Sequence, residues 1–178
     1  MTTQNERRNI LVLSTTATGG KTTVALGLLK LFASAGRKVA YFKPVAQRMR
    51  YPSDRKADRD KLISASALDE LSDVSPPPSL SMEETQEYFG SGRGDYFAEK
   101  IAELYQAIPP EVDLVVVEGM QYDDTAAALA FEVNTRLAHT LTTENILVID
   151  MHQKTEAASA DTESLVASYS EESVHFDG

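Results

Sequence analysis

The chain has 178 residues, of which 42% are hydrophobic and 25% are charged, proportions typical of one compact globular domain. A formal net charge of −10 disfavours binding to nucleic acid or to an anionic membrane surface. The absence of cysteine excludes disulfide bonds, zinc–thiolate sites and a cysteine nucleophile within this sequence.

The start of the chain lacks the pattern of a secretory signal peptide. Arg7 and Arg8 lead directly into a short apolar run, and no apolar run approaches the roughly 20 residues needed to span a bilayer. We therefore expect a cytoplasmic protein that has no membrane partner.

The first quarter of the chain predicts a strand, a helix and a second strand. The apolar run at 10–13 is typical of a strand buried on both faces. Apolar spacing of three and four residues at 22–35 predicts a helix, and Gly36 stands where a left-handed helix end would fall. The strand predicted at 38–42 stops at Pro44, because proline has no amide hydrogen for a central ladder.

Beyond residue 48 the sequence becomes polar and irregular, with one predicted helix at 60–71. The later elements predicted from apolar spacing are helices at 95–108 and 125–141, strands at 114–117 and 146–149, and a weak helix at 162–169. This alternation predicts a three-layer α/β domain, in which a parallel sheet is flanked by helices. We expect the domain to span 1–169 and the acidic tail at 170–178 to be disordered.

The sequence LSTTATGGKTT at 13–23 lies between the first predicted strand and the first predicted helix. Gly19 and Gly20 allow the backbone to approach a phosphate closely, and the helix start presents amide groups at its positive end. In the P-loop pattern G-x-x-x-x-G-K-[ST], Lys21 reaches the β- and γ-phosphates and Thr22 binds Mg²⁺. The residues predicted to bind nucleotide are Thr18, Gly19, Gly20, Lys21, Thr22 and Thr23.

The P-loop pattern is matched in part, because Thr15 stands where the strict pattern has glycine. The alternative is a helix start that is rich in serine and threonine because these residues cap helices well. That alternative does not account for Gly-Gly-Lys-Thr placed directly after a buried strand. The sequence therefore favours a phosphate-binding loop, with ATP and Mg²⁺ as the expected cofactors.

Other features of the sequence have open interpretations. The basic residues between Arg48 and Lys61 either form a solvated loop or face an anionic ligand. The segment YFGSGRGDYF at 88–97 is a lid, a subunit contact or an interruption between helices. The three histidines do not share the spacing of metal ligands, so we expect none of them to bind a metal.

Two further segments follow predicted strands, YFKPVAQ at 41–47 and LVVVEGM at 114–120. Together with STTATGGKTT they resemble dethiobiotin synthetase and, more closely, the N-terminal P-loop domain of long-form phosphate acetyltransferase. The resemblance covers most of residues 9–150 and implies a P-loop NTPase-like fold of the dethiobiotin synthetase type. Proteins of that type continue past the fourth strand with another helix and strand, so the resemblance implies a sheet that is short at its C-terminal end.

The resemblance also implies roles for individual residues. Lys21 and Lys43 would contact the phosphates, and they are the predicted catalytic residues if the protein acts on ATP. The implied metal ligands are Thr22, Glu118 and Asp60, with Asp58 and Asp54 as less secure alternatives to Asp60. Each assignment has a simpler rival, since Lys43 could be solvated, Glu118 could cap a neighbouring loop or form an ion pair with it, and Asp60 could cap the following helix.

Two functions stay open at this point. The first is a regulatory module that binds ATP and Mg²⁺, as the resemblance to the phosphate acetyltransferase domain implies, with acetyl transfer located outside this chain. The alternative is an ATP-dependent ligase resembling dethiobiotin synthetase, which closes a carbamate ring. Thr18, Met120 and Gln121 depart from the synthetase pattern on the substrate side, so the first function is favoured. The resemblance implies a homodimer or an acetyltransferase-type partner domain.

Overall fold

The computed structural model describes residues 7–16, 20–46, 67, 70–72, 74–122, 126–150 and 156–177. The strands with defined bounds are β1 (Arg8–Ser14), β2 (Val39–Phe42), β3 (Val45–Ala46), β4 (Leu80–Ser81), β5 (Leu114–Glu118) and β6 (Glu144–Val148). The helices with defined bounds are α1 (Lys21–Ser34), α2 (Met82–Gly90), α3 (Gly94–Tyr105), α4 (Ala127–Leu141) and α5 (Glu156–Glu171). None of the helices in these ranges combines the length and apolar character needed to cross a bilayer.

Four parallel strands of the described chain form the main sheet in the order β2-β5-β1-β6. Every residue of the central strand β5 is buried, and its central neighbour β1 is buried from Ile10 to Ser14. The register pairs Val12 with Glu118, so the carboxyl ends of β1 and β5 lie side by side. The predicted parallel α/β sheet is confirmed, and ligands of such sheets gather at this edge.

Helices cover both faces of the sheet and make the three layers that the alternating sequence predicts. On one face, Leu29 of α1 packs with Val12 in a compact apolar cluster. On the other face, the largest buried helical side chains are Phe97 of α3, Leu137 of α4 and Tyr169 of α5. Because apolar side chains leave water on both faces, the central strands are almost continuously hydrophobic.

Several predicted boundaries differ from the observed ones. β6 begins two residues before the predicted 146–149, and α5 extends at both ends beyond the predicted 162–169. Most of the helix predicted at 60–71 lies outside the described residues. Such differences are common at the ends of elements, where propensity alone gives a weak signal.

The segment at 88–97 is an interruption between two helices. α2 ends and α3 begins within it, and Gly92 adopts a left-handed conformation with φ of 68° in the turn between them. α2 was not predicted, although its start carries a recognisable signal. Ser81 and Glu84 form a reciprocal capping box, which satisfies backbone amides at the first turn.

The C-terminal residues after α5 are packed against the domain, which differs from the expected disorder at 170–178. Val174 is only 2% exposed and belongs to the main apolar cluster. The backbone of Asp177 donates a hydrogen bond to the carbonyl of Asn145 in β6, at 2.8 Å. Apolar residues interspersed among the acidic ones anchor this segment, and composition alone underestimates such local burial.

Candidate nucleotide-binding site

The turn from β1 into α1 presents an uncapped helix start. Gly20 precedes the first residue of α1 with φ of 79°, a left-handed conformation that glycine adopts at little energetic expense. Among the residues that the structure describes, no side chain caps the first turn of α1 by a hydrogen bond. Capping by serine or threonine therefore does not explain where this helix begins, and the helix start is suited to receive an anion.

A buried hydroxyl group at the same turn lacks a hydrogen-bond partner. The Oγ1 atom of Thr16 is inaccessible to solvent and has no partner among the described residues. The neighbouring Ser14 donates its hydroxyl hydrogen to the backbone carbonyl of Thr16 at 2.8 Å, which fixes the local turn. Because buried polar atoms are normally satisfied, the Thr16 hydroxyl is suited to a ligand or a water molecule.

Lys21 is buried at the start of α1 and does not extend into bulk solvent. Its residue is 6% exposed, and its Nζ atom donates a hydrogen bond to the backbone carbonyl of Gly119 at 3.0 Å. Burial lowers the pKa of Lys21 from 10.5 to about 8, although nearby Glu118 acts in the opposite direction. The first residue of α1 is thereby joined to the loop that follows β5.

Glu118 ends β5 with both carboxylate oxygens engaged. Lys43 forms an ion pair with Oε1 at 2.7 Å, and the hydroxyl of Tyr41 donates to Oε2 at 2.7 Å. Burial raises the pKa of Glu118, but the charge of Lys43 and these hydrogen bonds lower it overall. Burial and the adjacent carboxylate both raise the pKa of Tyr41, which keeps its phenol protonated.

Three of the predicted site residues therefore meet at the carboxyl edge of the sheet. Lys21, Lys43 and Glu118 are close enough to influence one another electrostatically. Thr22 is half-buried and Thr23 is exposed in the first turn of α1. Some predicted residues lie outside the described ranges, namely Thr18, Gly19 and Asp60. The alternatives Asp58 and Asp54 and the basic segment at 48–61 lie outside them too.

No role was predicted for Tyr41 from the sequence, although a signal was present. Tyr41 and Lys43 are two residues apart at the end of a strand, and such residues point to the same side of a sheet. A phenol and an ammonium group on one side are suited to a shared acceptor, which is Glu118. Strand periodicity could thus have placed Tyr41 in the site once Lys43 was assigned to it.

The lowered pKa of Lys21 predicts a specific dependence of stability on pH. The folded chain releases this proton near pH 8 and the unfolded chain near 10.5, so the folded state binds fewer protons between those values. The free energy of unfolding should therefore rise from pH 8 to 10.5 by up to about 3 kcal/mol. Denaturant titrations of the wild type and of Lys21→Met test this, because the variant should lack this component, and equal pH profiles would contradict the prediction.

The described residues suit a phosphate ligand and, together with it, a divalent cation. The amides at the start of α1, the Thr16 hydroxyl, which no described residue binds, and the Lys21 ammonium group are all donors suited to an anion. Glu118 and Thr22 offer the oxygen ligands that Mg²⁺ prefers. Among the residues described, no group of three or more histidine or acidic side chains is arranged to hold a metal ion.

The parallel sheet and the Gly-Lys-Thr turn into α1 are characteristic of P-loop proteins, and comparison with protein families agrees. The family model described as "AAA domain" matches residues 8–170. The chain belongs to this family.

Individual relatives give a more specific comparison. The chain is similar to phosphate acetyltransferase of Pseudomonas putida, with 37% identity over 129 residues, which is 72% of this chain and 18% of that protein. Phosphate acetyltransferase of Pseudomonas aeruginosa is 36% identical over 129 residues, 72% of this chain and 17% of the relative. That of Escherichia coli K12 is 26% identical over 142 residues, 80% of this chain and 19% of the relative. The chain thus spans less than one fifth of the length of these relatives.

Proposed function

We propose that this chain is a nucleotide-binding P-loop domain that binds ATP with Mg²⁺ and regulates an acetyltransferase-type activity located outside the sequence. The observation that carries the proposal is Lys21, a buried ammonium group held by Gly119 at the start of an uncapped helix. Burial of a charged lysine destabilises the folded state, so a lysine buried at such a turn indicates a binding role. Phosphate is the ligand that suits its positive charge. The similarity to phosphate acetyltransferases supports the regulatory part of the proposal.

Each described site residue has a distinct part in this proposal. Lys21 and the amides at the start of α1 bind the β- and γ-phosphates, while Thr22 and Glu118 hold Mg²⁺. A bound Mg²⁺ ion supplies charge neutralisation between phosphate oxygens. Lys43 carries a second positive charge at the same edge, and its partly exposed side chain would turn from Glu118 toward the phosphates when they bind.

The ligase alternative is less well supported, because of the residue that follows Gly119. Met120 is 1% exposed and its side chain belongs to the apolar cluster of the core. It therefore fills space inside the domain and offers no polar group to a carbamate substrate at this position. Release of phosphate from ATP in the presence of diaminopelargonic acid and bicarbonate would support the ligase, whereas we expect none above background.

Calorimetric titration with a non-hydrolysable ATP analogue and Mg²⁺ tests the proposed function. We expect saturable binding with one nucleotide per chain, because the described residues offer one phosphate-binding helix start at the sheet edge. The heat should disappear when adenosine replaces the analogue, since most of the proposed contacts are to phosphate. Absence of saturable heat from the analogue at millimolar concentration would overturn the proposal.

The ion pair between Lys43 and Glu118 predicts competition between Lys43 and the metal ion. Lys43 neutralises the carboxylate that Mg²⁺ is proposed to use, so the cation alone should bind weakly until phosphates draw Lys43 away. In Lys43→Met, the affinity for Mn²⁺ without nucleotide should rise about tenfold, which is about 1.4 kcal/mol. Electron paramagnetic resonance of free Mn²⁺ measures this directly.

Lys38 provides a matched control for the Lys43 experiment. It is exposed and lies just before β2, and its backbone rather than its side chain makes the hydrogen bonds found there. Lys38→Met removes the same charge and should leave the Mn²⁺ affinity close to that of the wild type. Equal Mn²⁺ affinities for both variants and the wild type would show that Lys43 does not compete with the metal ion for Glu118.

A further inference from the structure

A fully buried asparagine clamps the loop that follows β5. Asn134 of α4 is 0% exposed and faces the sheet among the apolar residues Ala130, Val133 and Leu137. Its Oδ1 atom accepts the backbone N–H of Met120 at 2.7 Å, and its Nδ2 atom donates to the carbonyl of Met120 at 3.0 Å. The side chain thus pairs with both backbone groups of one residue, as a neighbouring strand would.

The clamp fixes the carbonyl group to which Lys21 is bound. Gly119 donates its backbone N–H to the carbonyl of Val12 in β1 at 3.0 Å, so its amide side is tied to the sheet. Its carbonyl side is joined to Met120, which Asn134 holds through two hydrogen bonds. The packing here is close, because a Cβ atom on Gly119 would lie 2.8 Å from Oδ1 of Asn134. The orientation of the Gly119 carbonyl is therefore determined from both sides.

We propose that Asn134 is a positioning residue for the phosphate-binding lysine, acting through Met120 and Gly119 on Lys21. This inference rests on the proposed function, since the purpose of the positioning is to present Lys21 to phosphate. The side chain of Asn134 lies between α4 and the β5 loop, and Lys21 contacts the same loop from α1. Asn134 therefore links the helix on one face of the sheet to the P-loop helix on the other.

Fixing Lys21 in place should strengthen phosphate binding because its ammonium group is carried on a flexible side chain. Lysine has three N–H donors on a flexible stem, and side chains of this kind lose considerable rotamer freedom when they are fixed. One donor of Lys21 is held by Gly119, which leaves two donors for the phosphates and limits the positions that Nζ can adopt. A buried binding group whose supporting residues are themselves fixed binds more tightly, because less ordering remains to be done at binding.

The first test measures the accessibility of Lys21 without any nucleotide. In Asn134→Leu both clamp hydrogen bonds are lost, so the loop after β5 should loosen. The amine of Lys21 should then react at least tenfold faster with an amine-modifying reagent. Peptide mass spectrometry measures the rate of modification. Lys100, whose side chain is 37% exposed on α3, serves as the internal reference. Thr135→Val is the matched control, because Thr135 is the next residue of α4, is 9% exposed and has a hydroxyl with no hydrogen-bond partner in the described part of the chain. The control should leave Lys21 protected.

The second test measures affinity for the ATP analogue. We expect Asn134→Leu to bind the analogue at least tenfold more weakly than the wild type, and Asn134→Asp to be intermediate because it retains an acceptor for the N–H of Met120. In a Lys21→Met background, Asn134→Leu should have no further effect, since a residue that acts through Lys21 has nothing left to position. Additive losses would overturn the inference.

The two tests separate this inference from the proposed function. If the wild type binds no nucleotide, the proposed function fails, while the reactivity of Lys21 still shows whether Asn134 holds the lysine. If Asn134→Leu keeps a native circular dichroism spectrum and Lys21 stays as protected as in the wild type, the inference is wrong. If Asn134→Leu does not fold, Asn134→Asp decides in its place, and unchanged Lys21 reactivity and analogue affinity in that variant would equally overturn the inference.

Discussion

Replacement of Lys21 by methionine is expected to weaken binding of ATP at least a hundredfold while the domain stays folded. Lys21 is 6% exposed and sits at the start of α1, where a phosphate would meet both its charge and the helix amides. Hydrogen bonds to charged groups contribute about 1.5–3 kcal/mol each, so loss of two such bonds accounts for about 3 kcal/mol or more. Methionine occupies a similar volume and relieves the burial of a charge, so unfolding should not follow.

The measurement is calorimetric titration of the variant with the ATP analogue, together with its denaturation curve. Lys30→Met is the matched control, because Lys30 lies on the same helix and is exposed. The control should bind the analogue as the wild type does. If the affinity of Lys21→Met for the analogue were within threefold of the wild-type affinity, Lys21 would not be a phosphate-binding residue.

Substitution of Gly119 by alanine is expected to cause the largest loss of stability among single substitutions at the site. A Cβ atom there would lie 2.3 Å from Cδ2 of Leu13 and 3.3 Å from the carbonyl of Val12, in addition to its approach to Asn134. Atoms at such distances must move apart, and overpacking of a dense core costs about 3 kcal/mol in cases of this kind. Gly119 does not adopt a left-handed conformation, so the effect arises from contact alone.

Gly27 offers the contrasting control. It lies within α1, and a Cβ atom built on it would have no neighbour within 4 Å. Gly27→Ala should raise the free energy of unfolding by about 0.5–1 kcal/mol, because alanine favours the helix and restricts the unfolded chain. Urea denaturation of both variants measures the contrast, and a Gly119→Ala variant as stable as the wild type would show that the loop after β5 is loosely packed.

The fold was accessible from the sequence because its signals are local. The uninterrupted apolar runs at 10–13 in β1 and at 114–117 in β5 indicate strands buried on both faces. The helical spacing between these strands indicates the crossover connections. The glycines and Lys21 mark the turn at the end of β1 for the same reason, since the motif and its flanking elements are contiguous. Strand order and the packed C-terminal residues depend on contacts between distant segments, and the sequence does not give them directly.

The contacts between residues within the site were harder to predict from the sequence. Lys43 and Glu118 are 75 residues apart, and Lys21 is 98 residues from Gly119, so no local pattern joins them. From the motifs, Lys21, Lys43 and Glu118 were predicted to contact a ligand, with an ion pair as the rival interpretation of Glu118, but neither Lys43 as its partner nor the bond from Lys21 to Gly119 was predicted. Asn134 gave one signal, a polar residue on an otherwise apolar helix face, and such residues often satisfy buried backbone groups. The roles of Thr18, Gly19 and Asp60 stay predictions.

A crystal structure of the protein with a non-hydrolysable ATP analogue and Mg²⁺ would show whether Lys21 and the start of α1 bind phosphate. We predict that a β- or γ-phosphate oxygen lies within about 3 Å of the Nζ atom of Lys21, with first-turn amides of α1 donating to the phosphates. We also predict that Lys43 has left Glu118 and that a metal ion has taken its place. An analogue bound elsewhere on the domain, with Lys21 still contacting Gly119 and no phosphate, would show that the turn from β1 into α1 is not a phosphate site.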